Sequence, residues 1–264
     1  MLIPHHFLIS NHYGKLFRKP LSLCFLGTLV LTAALSAQTE HPSHPTHHDL
    51  SEEHSSDLFV RTMWDSKYVS EGRDNLGEGG LGSASVGWTY TSDHNGELIF
   101  GGWYAEGTSV DYTELNLGVA YGWSLEKLDI AVGYTWLDYA ETDASDNEFA
   151  IEAGTSLFDD YDVGAVFIYS DEAGGAFFEF VVSKSFEEGL ATWTPYLLLG
   201  INDGFVATEH EGLNNLQMGV EVSASISEHF ELSGYLAYTI GLDENAGDTL
   251  DDLFWVGVSL GWAN

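Results

Sequence analysis

Basic residues are scarce in this sequence: Lys and Arg together number 8, against 41 Asp and Glu, and the formal net charge is −33. A chain this acidic repels phosphate groups, which excludes nucleic-acid binding as its function. Cysteine is nearly absent too, because Cys24 is the single one. A chain that loses Cys24 has neither disulfides nor a cysteine nucleophile.

Long apolar runs are missing from residue 58 onward, and no helical periodicity is found there. A helical membrane protein needs about 20 consecutive apolar residues for each span, so this class is excluded. Glycine, at 29 residues, and aromatic side chains, at 14%, are abundant instead. Strands are therefore the elements to look for.

The first 37 residues have the layout of a secretory signal peptide. Lys15, Arg18 and Lys19 precede the apolar run LSLCFLGTLVLTAAL, which ends at the small-residue stretch ALSAQ. The run is short for a membrane anchor, and Cys24 lies too early for a lipoprotein. We predict a signal peptide over residues 1–37, whose removal also removes Cys24.

Residues 38–57 are polar, rich in histidine and without periodicity, which predicts a solvated periplasmic linker. Imidazole is a good transition-metal ligand, so metal capture and a plain polar tail both stay open. The histidines of this linker are His41, His44, His47, His48 and His54.

Alternation with period two predicts strands from Leu58 to the end of the chain. In residues 128–136, large apolar side chains occupy one face, and polar or very small ones occupy the other. Lipid outside and a crowded lumen inside would explain these faces; a soluble sandwich is the alternative. The predicted strands are 58–69, 82–91, 97–106, 112–123, 127–138, 148–157, 161–170, 176–186, 191–201, 213–226, 229–240 and 252–262.

Short and long connections alternate strictly between these twelve segments. Short periplasmic turns and long outer loops are typical of outer-membrane barrels. Aromatic residues collect at both strand ends, as interfacial girdles do, with Tyr68 and Trp136 among those beside the long loops. We predict an all-β fold: a transmembrane antiparallel up-and-down β-barrel of about 12 strands over residues 58–264, in the outer membrane of a Gram-negative cell.

The last residues, WVGVSLGWAN, resemble the C-terminal assembly signal of bacterial outer-membrane barrels at Gly257, Leu260 and Trp262. Trp255 stands where a polar residue is usual, and two residues follow the terminal aromatic. The resemblance implies recognition by the barrel assembly machinery.

The segment WDSKYVSEGRDNL resembles the S-x-Y-V-x-x-G opening of the Gcw_chp or TorF-like group of outer-membrane proteins. Ser66, Tyr68, Val69 and Gly72 carry this resemblance, which covers about a dozen residues. It implies a location and a fold and brings no activity with it.

Parity along the strands predicts a lumen lined by eight acids and two bases. Carboxylates in excess raise the local concentration of cations, which indicates a cation-preferring passage for small solutes. The predicted pore-lining residues are Arg61, Asp65, Lys67, Glu114, Asp129, Glu152, Asp162, Glu179, Glu221 and Glu231.

A filled lumen is the alternative, because a barrel of this size has a narrow interior. Arg61 and Lys67 would then pair with several acids. Five aromatic residues would plug the remaining space: Phe59, Trp103, Trp193, Tyr235 and Trp255.

The sequence also carries residues that would suit two further functions. Only His210, with Glu209 and Asp203 in one outer loop, could act as an imidazole base, and no serine nucleophile motif accompanies it, so we expect no enzyme activity.

An adhesive or structural barrel could bind divalent ions through acidic outer loops, although their spacing matches no calcium loop. The acids concerned are Asp143, Asp146, Glu148, Asp243, Glu244, Asp248, Asp251 and Asp252. We assign no metal site and no cofactor. Expected partners are outer-membrane lipid and lipopolysaccharide, the barrel assembly machinery, and small solutes or cations.

Overall fold

A computed structural model describes residues 55–92, 96–158, 161–206, 211–242 and 250–264. In this part of the chain, no helix is long and apolar enough to cross a membrane. All regular elements described are strands: β1 (Ser55–Asp65), β2 (Val69–Ser70), β3 (Arg73–Asp74), β4 (Leu81–Ser92), β5 (Gly96–Gly107), β6 (Thr113–Leu125), β7 (Leu128–Tyr139), β8 (Ala144–Leu157), β9 (Tyr161–Ser170), β10 (Gly175–Ser183), β11 (Phe186–Glu188), β12 (Ala191–Asp203), β13 (Glu211–Ser225), β14 (Phe230–Gly241) and β15 (Leu253–Ala263).

The strands form one closed antiparallel barrel. Each pairs with its neighbours in the chain, and β1 also pairs with β15, from Phe59 opposite Ala263 to Asp65 opposite Gly257. β11 continues β10 after a break, and both pair with β12. Counted as one strand, they leave twelve strand positions around the wall, which we call staves. β2 and β3 form a separate hairpin. The predicted twelve-stranded barrel is confirmed, and the soluble sandwich is wrong.

Side chains alternate between an exposed and a buried face along each stave. On β7, Leu128, Val132 and Tyr134 are exposed, whereas Asp129 and Ala131 are buried inside the barrel. This reverses the arrangement of a soluble protein, because the large apolar side chains point outward. An apolar outer band around a polar interior is the pattern of barrels that lie in lipid.

Inward glycines make room for aromatic side chains of neighbouring strands. Phe59 on β1 lies opposite Gly87 on β4, and its ring occupies the space where a Cβ of residue 87 would be. The hydroxyl end of Tyr196 occupies the corresponding space at Gly219. The inward glycines are therefore packing positions, and they allow large rings into a narrow interior.

The first barrel strand differs from the prediction at both ends. β1 begins at Ser55, inside the predicted linker, and ends at Asp65, four residues before the predicted end at residue 69. It ends there because Ser66 replaces the next ladder bonds: its N–H donates to the Val256 carbonyl at 2.9 Å, and its Oγ accepts from the Val256 N–H at 3.0 Å. The predicted signal peptide and residues 38–54 lie outside the described residues.

Trp193 was expected in the lumen, but it lies on the outer face of β12, where it is 43% exposed. The inward side chains of this strand include Thr194, Tyr196 and Leu198, and Leu197 is exposed. Large apolar side chains stand on both faces of β12, so alternation of polarity does not define its parity. The prediction for Trp193 was wrong for this reason.

The packing of Phe59 against Gly87 gives a first prediction. Gly87→Leu should destabilise the barrel by about 1–3 kcal/mol, because the new side chain competes with the Phe59 ring. Val86→Leu, on the exposed face next to it, is the matched control. Urea unfolding of the refolded barrel, followed by heat-modifiable gel mobility, would measure the difference. Equal midpoints for both variants would contradict this packing.

Candidate functional site

Residues 66–76 fold back into the barrel from the end of β1, and we call this segment the plug. Its inner part is buried: Tyr68, Val69, Ser70, Glu71 and Arg73 are each at most 5% exposed. A segment that was predicted to be the end of a strand and part of an outer loop therefore fills the outer mouth.

The plug contains the β2–β3 hairpin, in which Val69 lies opposite Asp74 and Ser70 opposite Arg73. Glu71 and Gly72 form its tip, with φ of 44° and 78°. Two central residues with positive φ are the requirement of a type I′ turn, and glycine meets it without steric cost.

On one side, the plug contacts the wall through Tyr68. The Tyr68 hydroxyl donates to Glu114 Oε2 at 3.0 Å, and its ring centroid lies 6.1 Å from that of Trp103 and 5.8 Å from that of Tyr112. Glu114 also accepts from the Tyr112 hydroxyl and, at 2.8 Å, from Asn116 Nδ2. Burial, reinforced by the nearby Glu114 carboxylate, raises the pKa of Tyr68 well above its usual value, so Tyr68 stays a donor.

Tyr68 was expected in the outer aromatic girdle, and this prediction was wrong. It depended on a first strand that continued to residue 69, whereas Tyr68 lies beyond the end of β1 and points into the barrel.

On the opposite side, a β-bulge in β13 holds the tip of the plug. Gly200 pairs with Asn215 and Ile201 pairs with Leu213, so Asn214 is the extra residue. The bulge leaves both Asn214 and Asn215 buried. Asn214 Nδ2 donates to the Glu71 carbonyl at 2.7 Å and to Asn215 Oδ1 at 2.9 Å.

Gly72 fits tightly against Asn215. A Cβ at residue 72 would lie 2.6 Å from Asn215 Cγ, which is closer than such atoms approach. Asn215 in turn donates from Nδ2 to Thr239 Oγ1 at 3.1 Å. The two asparagines and Gly72 therefore form one seat for the hairpin tip, which we call the latch.

A second inward-folded segment completes the closure of the mouth. Phe205 and Val206, which follow β12, are buried against Val166, Ile168 and Phe177. Asn202 Oδ1 accepts from both of their N–H groups, at 3.0 and 2.7 Å.

Arg73 joins the plug to this segment. Its Nη1 donates to the Val206 carbonyl at 3.4 Å, and its Nη2 lies 3.7 Å from Glu71 Oε2. Burial lowers the pKa of the Arg73 guanidinium, and the Glu71 carboxylate opposes this shift. Polar contacts therefore hold the plug at several points around the mouth.

Nine of the ten predicted pore-lining residues lie on the inner faces of barrel strands. Six are buried: Arg61, Asp65, Glu114, Asp129, Glu179 and Glu221. Three are half-buried: Glu152, Asp162 and Glu231. Lys67 is the exception, because it belongs to the plug, where its Nζ donates to Asp74 Oδ2 at 2.6 Å.

The luminal acids are held mainly by hydroxyl groups. Asp65 Oδ1 accepts from the Tyr235 hydroxyl at 2.5 Å, and Asp162 Oδ1 accepts from Ser156 Oγ at 2.7 Å. Among the described inner faces of the barrel strands, Arg61 is the only base, and its Nη2 lies 3.6 Å from Glu231 Oε1. Hydroxyls donate hydrogen bonds without adding a positive charge, so acidic groups far outnumber basic ones on the inner face.

Three buried inward acids were missed by the sequence analysis: Glu97, Asp146 and Glu148. Glu97 shares the parity of Trp103 on β5, which was a usable signal. Asp146 and Glu148 were assigned to outer-loop ion binding, but β8 begins at Ala144 and turns both inward. Asp146 accepts from Ser170 Oγ at 2.5 Å and from the Glu172 N–H at 2.8 Å.

The remaining loop candidates are only partly described. Asp143, Asp251 and Asp252 are exposed, and no group of three or more acidic, histidine or cysteine side chains in the described ranges is arranged to hold a metal ion. Asp243, Glu244 and Asp248 lie outside those ranges, as do Glu209 and His210 of the enzyme hypothesis.

The three residues of the C-terminal assembly signal occupy two faces of β15. A Cβ at Gly257 would overlap the Tyr235 ring and Asp65, whereas Leu260 is exposed and the Trp262 ring lies 6.4 Å from that of His229.

The two sequence resemblances meet at the plug. Trp255 departs from the assembly signal, and it is buried against Val69 of the plug. Ser66, Tyr68, Val69 and Gly72, which carry the other resemblance, all lie in the plug, and each makes a contact described above.

Comparison with solved structures identifies the class of fold. The KdgM porin in complex with disordered oligogalacturonate is similar, with a TM-score of 0.52 and 9% identity over 78% of this chain and 98% of that chain. A second structure of the KdgM porin has a TM-score of 0.52 and 8% identity, again over 78% of this chain and 98% of that chain. An outer membrane channel from Pseudomonas putida F1 has a TM-score of 0.51 and 7% identity over 85% of this chain and 100% of that chain.

The chain therefore has the fold of outer-membrane porins and channels. No family model and no curated protein matches the sequence. The resemblance to the Gcw_chp or TorF-like group stays a prediction.

The contact between Tyr68 and Glu114 gives a second prediction. Tyr68→Phe keeps the ring but removes a donor from a buried carboxyl group, so unfolding should become easier by about 1–3 kcal/mol. Tyr134→Phe is the control, because it removes an exposed hydrogen bond from Tyr134 to Asn147. Denaturant unfolding of the refolded barrel would measure both. A Tyr68→Phe variant as stable as the control would contradict the described seat of the plug.

Proposed function

We propose that this protein is a porin-like channel of the outer membrane for small solutes, with a preference for cations. The carrying observation is the composition of the inner face, where carboxyl groups stand on many strands and Arg61 is the only base on the described inner faces of the barrel strands. Fixed negative charge in a narrow aqueous space attracts cations and repels anions.

The acids are distributed around the lumen. Glu152 on β8 and Glu179 on β10 flank Val166 of β9, because both pair with it. In the closed strand order, β9 lies six staves from β1, which carries Arg61. A solute that passes through the middle of the barrel would therefore meet two carboxylates on the wall opposite the arginine.

The outer face supports the proposed location. Large apolar side chains are exposed on successive staves, and a closed barrel leaves no unpaired backbone edge to lipid. We propose outer-membrane lipid and lipopolysaccharide as its surroundings, reached after export with the predicted signal peptide. Recognition by the barrel assembly machinery would use the strand that carries Gly257, Leu260 and Trp262.

The charge of the lumen also limits the solutes. One similar porin was solved with oligogalacturonate, an anionic saccharide. The same solute would be repelled here by the inward acids, so we propose uncharged or cationic small solutes instead.

A plugged structural or adhesive barrel is the second candidate, favoured by the tightly held segment in the outer mouth. The two candidates differ in conductance: a permanently sealed barrel is folded but silent, whereas a channel shows discrete openings.

Selectivity gives the third prediction. The double variant Glu152→Gln/Glu179→Gln should lower the cation-to-anion permeability ratio by about twofold or more, because it removes two acidic groups from the lumen. Glu187→Gln/Glu228→Gln is the control, since it removes the same charge from exposed periplasmic positions. Reversal potentials in a planar bilayer under a salt gradient would give the ratios. An anion preference in the wild type, or equal ratios in both variants, would contradict the proposal.

The lipid-facing band gives the fourth prediction. Val132→Arg places a charge in the middle of the exposed face of β7 and should destabilise the barrel in bilayers by about 2–4 kcal/mol. Leu125→Arg, beside a periplasmic turn, is the control and should cost about 0–1 kcal/mol. Urea unfolding in lipid vesicles would compare them. Equal costs would show that this face does not lie in hydrocarbon.

A further inference from the structure

The plug is built as a unit that is separate from the barrel wall. β2 and β3 pair with each other in their own two-stranded sheet and have no described ladder to the wall. Cross-links within the segment hold it together: Lys67 to Asp74 at 2.6 Å, Asn75 Nδ2 to Ser70 Oγ at 2.7 Å, and the Asn75 N–H to the Tyr68 carbonyl at 2.8 Å. These bonds would survive if the segment moved as a rigid body.

The chain that follows the plug has the conformational freedom of a hinge. Gly77 and Gly79 have φ of 71° and 80°, and a Cβ at Gly77 would meet no atom within 4 Å. Glycine reaches both left- and right-handed conformations at little cost, so rotation here is permitted. Gly80 itself is fixed, because its N–H donates to Thr108 Oγ1 at 3.0 Å and its carbonyl accepts from the Thr108 N–H at 2.8 Å. Movement of the hairpin would therefore pivot on residues 77–79 and on the backbone bonds after Ser66, which stays paired with Val256.

The closed arrangement leaves polar atoms of the surrounding wall unsatisfied. Trp103 Nε1, Asn116 Oδ1 and Asn214 Oδ1 have no hydrogen-bond partner, and each of these residues is at most 2% exposed. Such groups oppose burial, since each loses its bonds to water without a replacement. A permanent seal would be expected to satisfy them, whereas departure of the plug would let water reach them.

We propose that the plug is a gate and that Asn214 and Asn215 are its latch. The hairpin tip is the part of the segment farthest from residues 77–79, and it is the part that the latch holds, through the Glu71 carbonyl and the close fit of Gly72. Release of the tip lets the hairpin swing away from the Tyr68 contact with Glu114. This inference rests on the proposed channel, because a gate has meaning only where solutes pass.

Weakening the latch is the first test. Asn214→Ala removes the donor to the Glu71 carbonyl. The open probability of single channels in a planar bilayer should therefore rise by about three- to tenfold, which is the change expected for the loss of one hydrogen bond. Gln217→Ala is the matched control: it is an inward amide on the same strand, but it donates to the Tyr196 hydroxyl at 3.2 Å and not to the plug. The control should keep the wild-type open probability.

Locking the latch is the second test. A Cβ at residue 72 would lie 2.7 Å from Asn215 Cβ, so a small shift brings Gly72→Cys and Asn215→Cys within disulfide distance. In a Cys24→Ser background, the oxidised double variant should be silent, and reduction should restore openings in the same membrane. The two single-cysteine variants should not respond to the redox change. Heat-modifiable gel mobility confirms that each variant is folded.

The outcomes separate the gate from the channel. Equal conductance of the oxidised and reduced forms would overturn the gate, as would silence of both the Asn214→Ala variant and the reduced form. Redox-dependent openings with anion preference would leave the gate standing and overturn the proposed cation selectivity. Steady cation-selective conductance that ignores the lock would leave the channel standing and overturn the gate.

Discussion

Closure of the sheet between β1 and β15 is the constraint on which the other features depend. Backbone groups in hydrocarbon have no water to bond, so a sheet there must pair its first strand with its last. This seam brings Asp65 beside Gly257, where a Cβ would also overlap Tyr235. The chain continues from the top of this seam into the lumen, because Ser66 takes the next bonds of Val256 with its own backbone and side chain. Closure therefore determines where the plug begins.

The two faces of the closed sheet have different requirements. The outer face needs only apolar bulk, whereas the inner face must fit aromatic rings, glycines and carboxylates into a narrow space. Phe59 shows how tightly this is done, since its ring fills the space above Gly87. Acidic groups are concentrated on the same face, where hydroxyl donors such as Ser156 and Tyr235 hold them. The inward side chains therefore make the lumen both acidic and sterically crowded.

The number of staves and the inward position of most acids could be predicted, because lipid and lumen impose opposite chemistry on alternate residues. The prediction failed where that contrast is weak or interrupted. Trp193 lies on a strand with large apolar side chains on both faces, so the sequence did not show which of its residues point inward. At Asn214 a bulge interrupts the alternation, and two successive asparagines end up buried.

The plug itself could not be predicted from local composition. The stretch EGRDNLGEGG has the glycine and charge of an ordinary surface loop. The plug is buried because distant residues supply partners: Asn214 is 143 positions from Glu71, and Glu114 is 46 positions from Tyr68. Burial of polar backbone depends on such partners, and a single sequence does not reveal which residues will meet.

The bulge in β13 has a consequence for assembly. A slip of two residues between neighbouring strands keeps every side chain on its own face, so the apolar pattern does little to oppose it. Such a slip would move Asn215 away from Gly72 and could present the inward Gln217 at that height. The hairpin tip would then have no seat, and the mouth of a misregistered barrel would stay open. Seating of the plug therefore depends on the register of β13 as well as on the plug's own sequence.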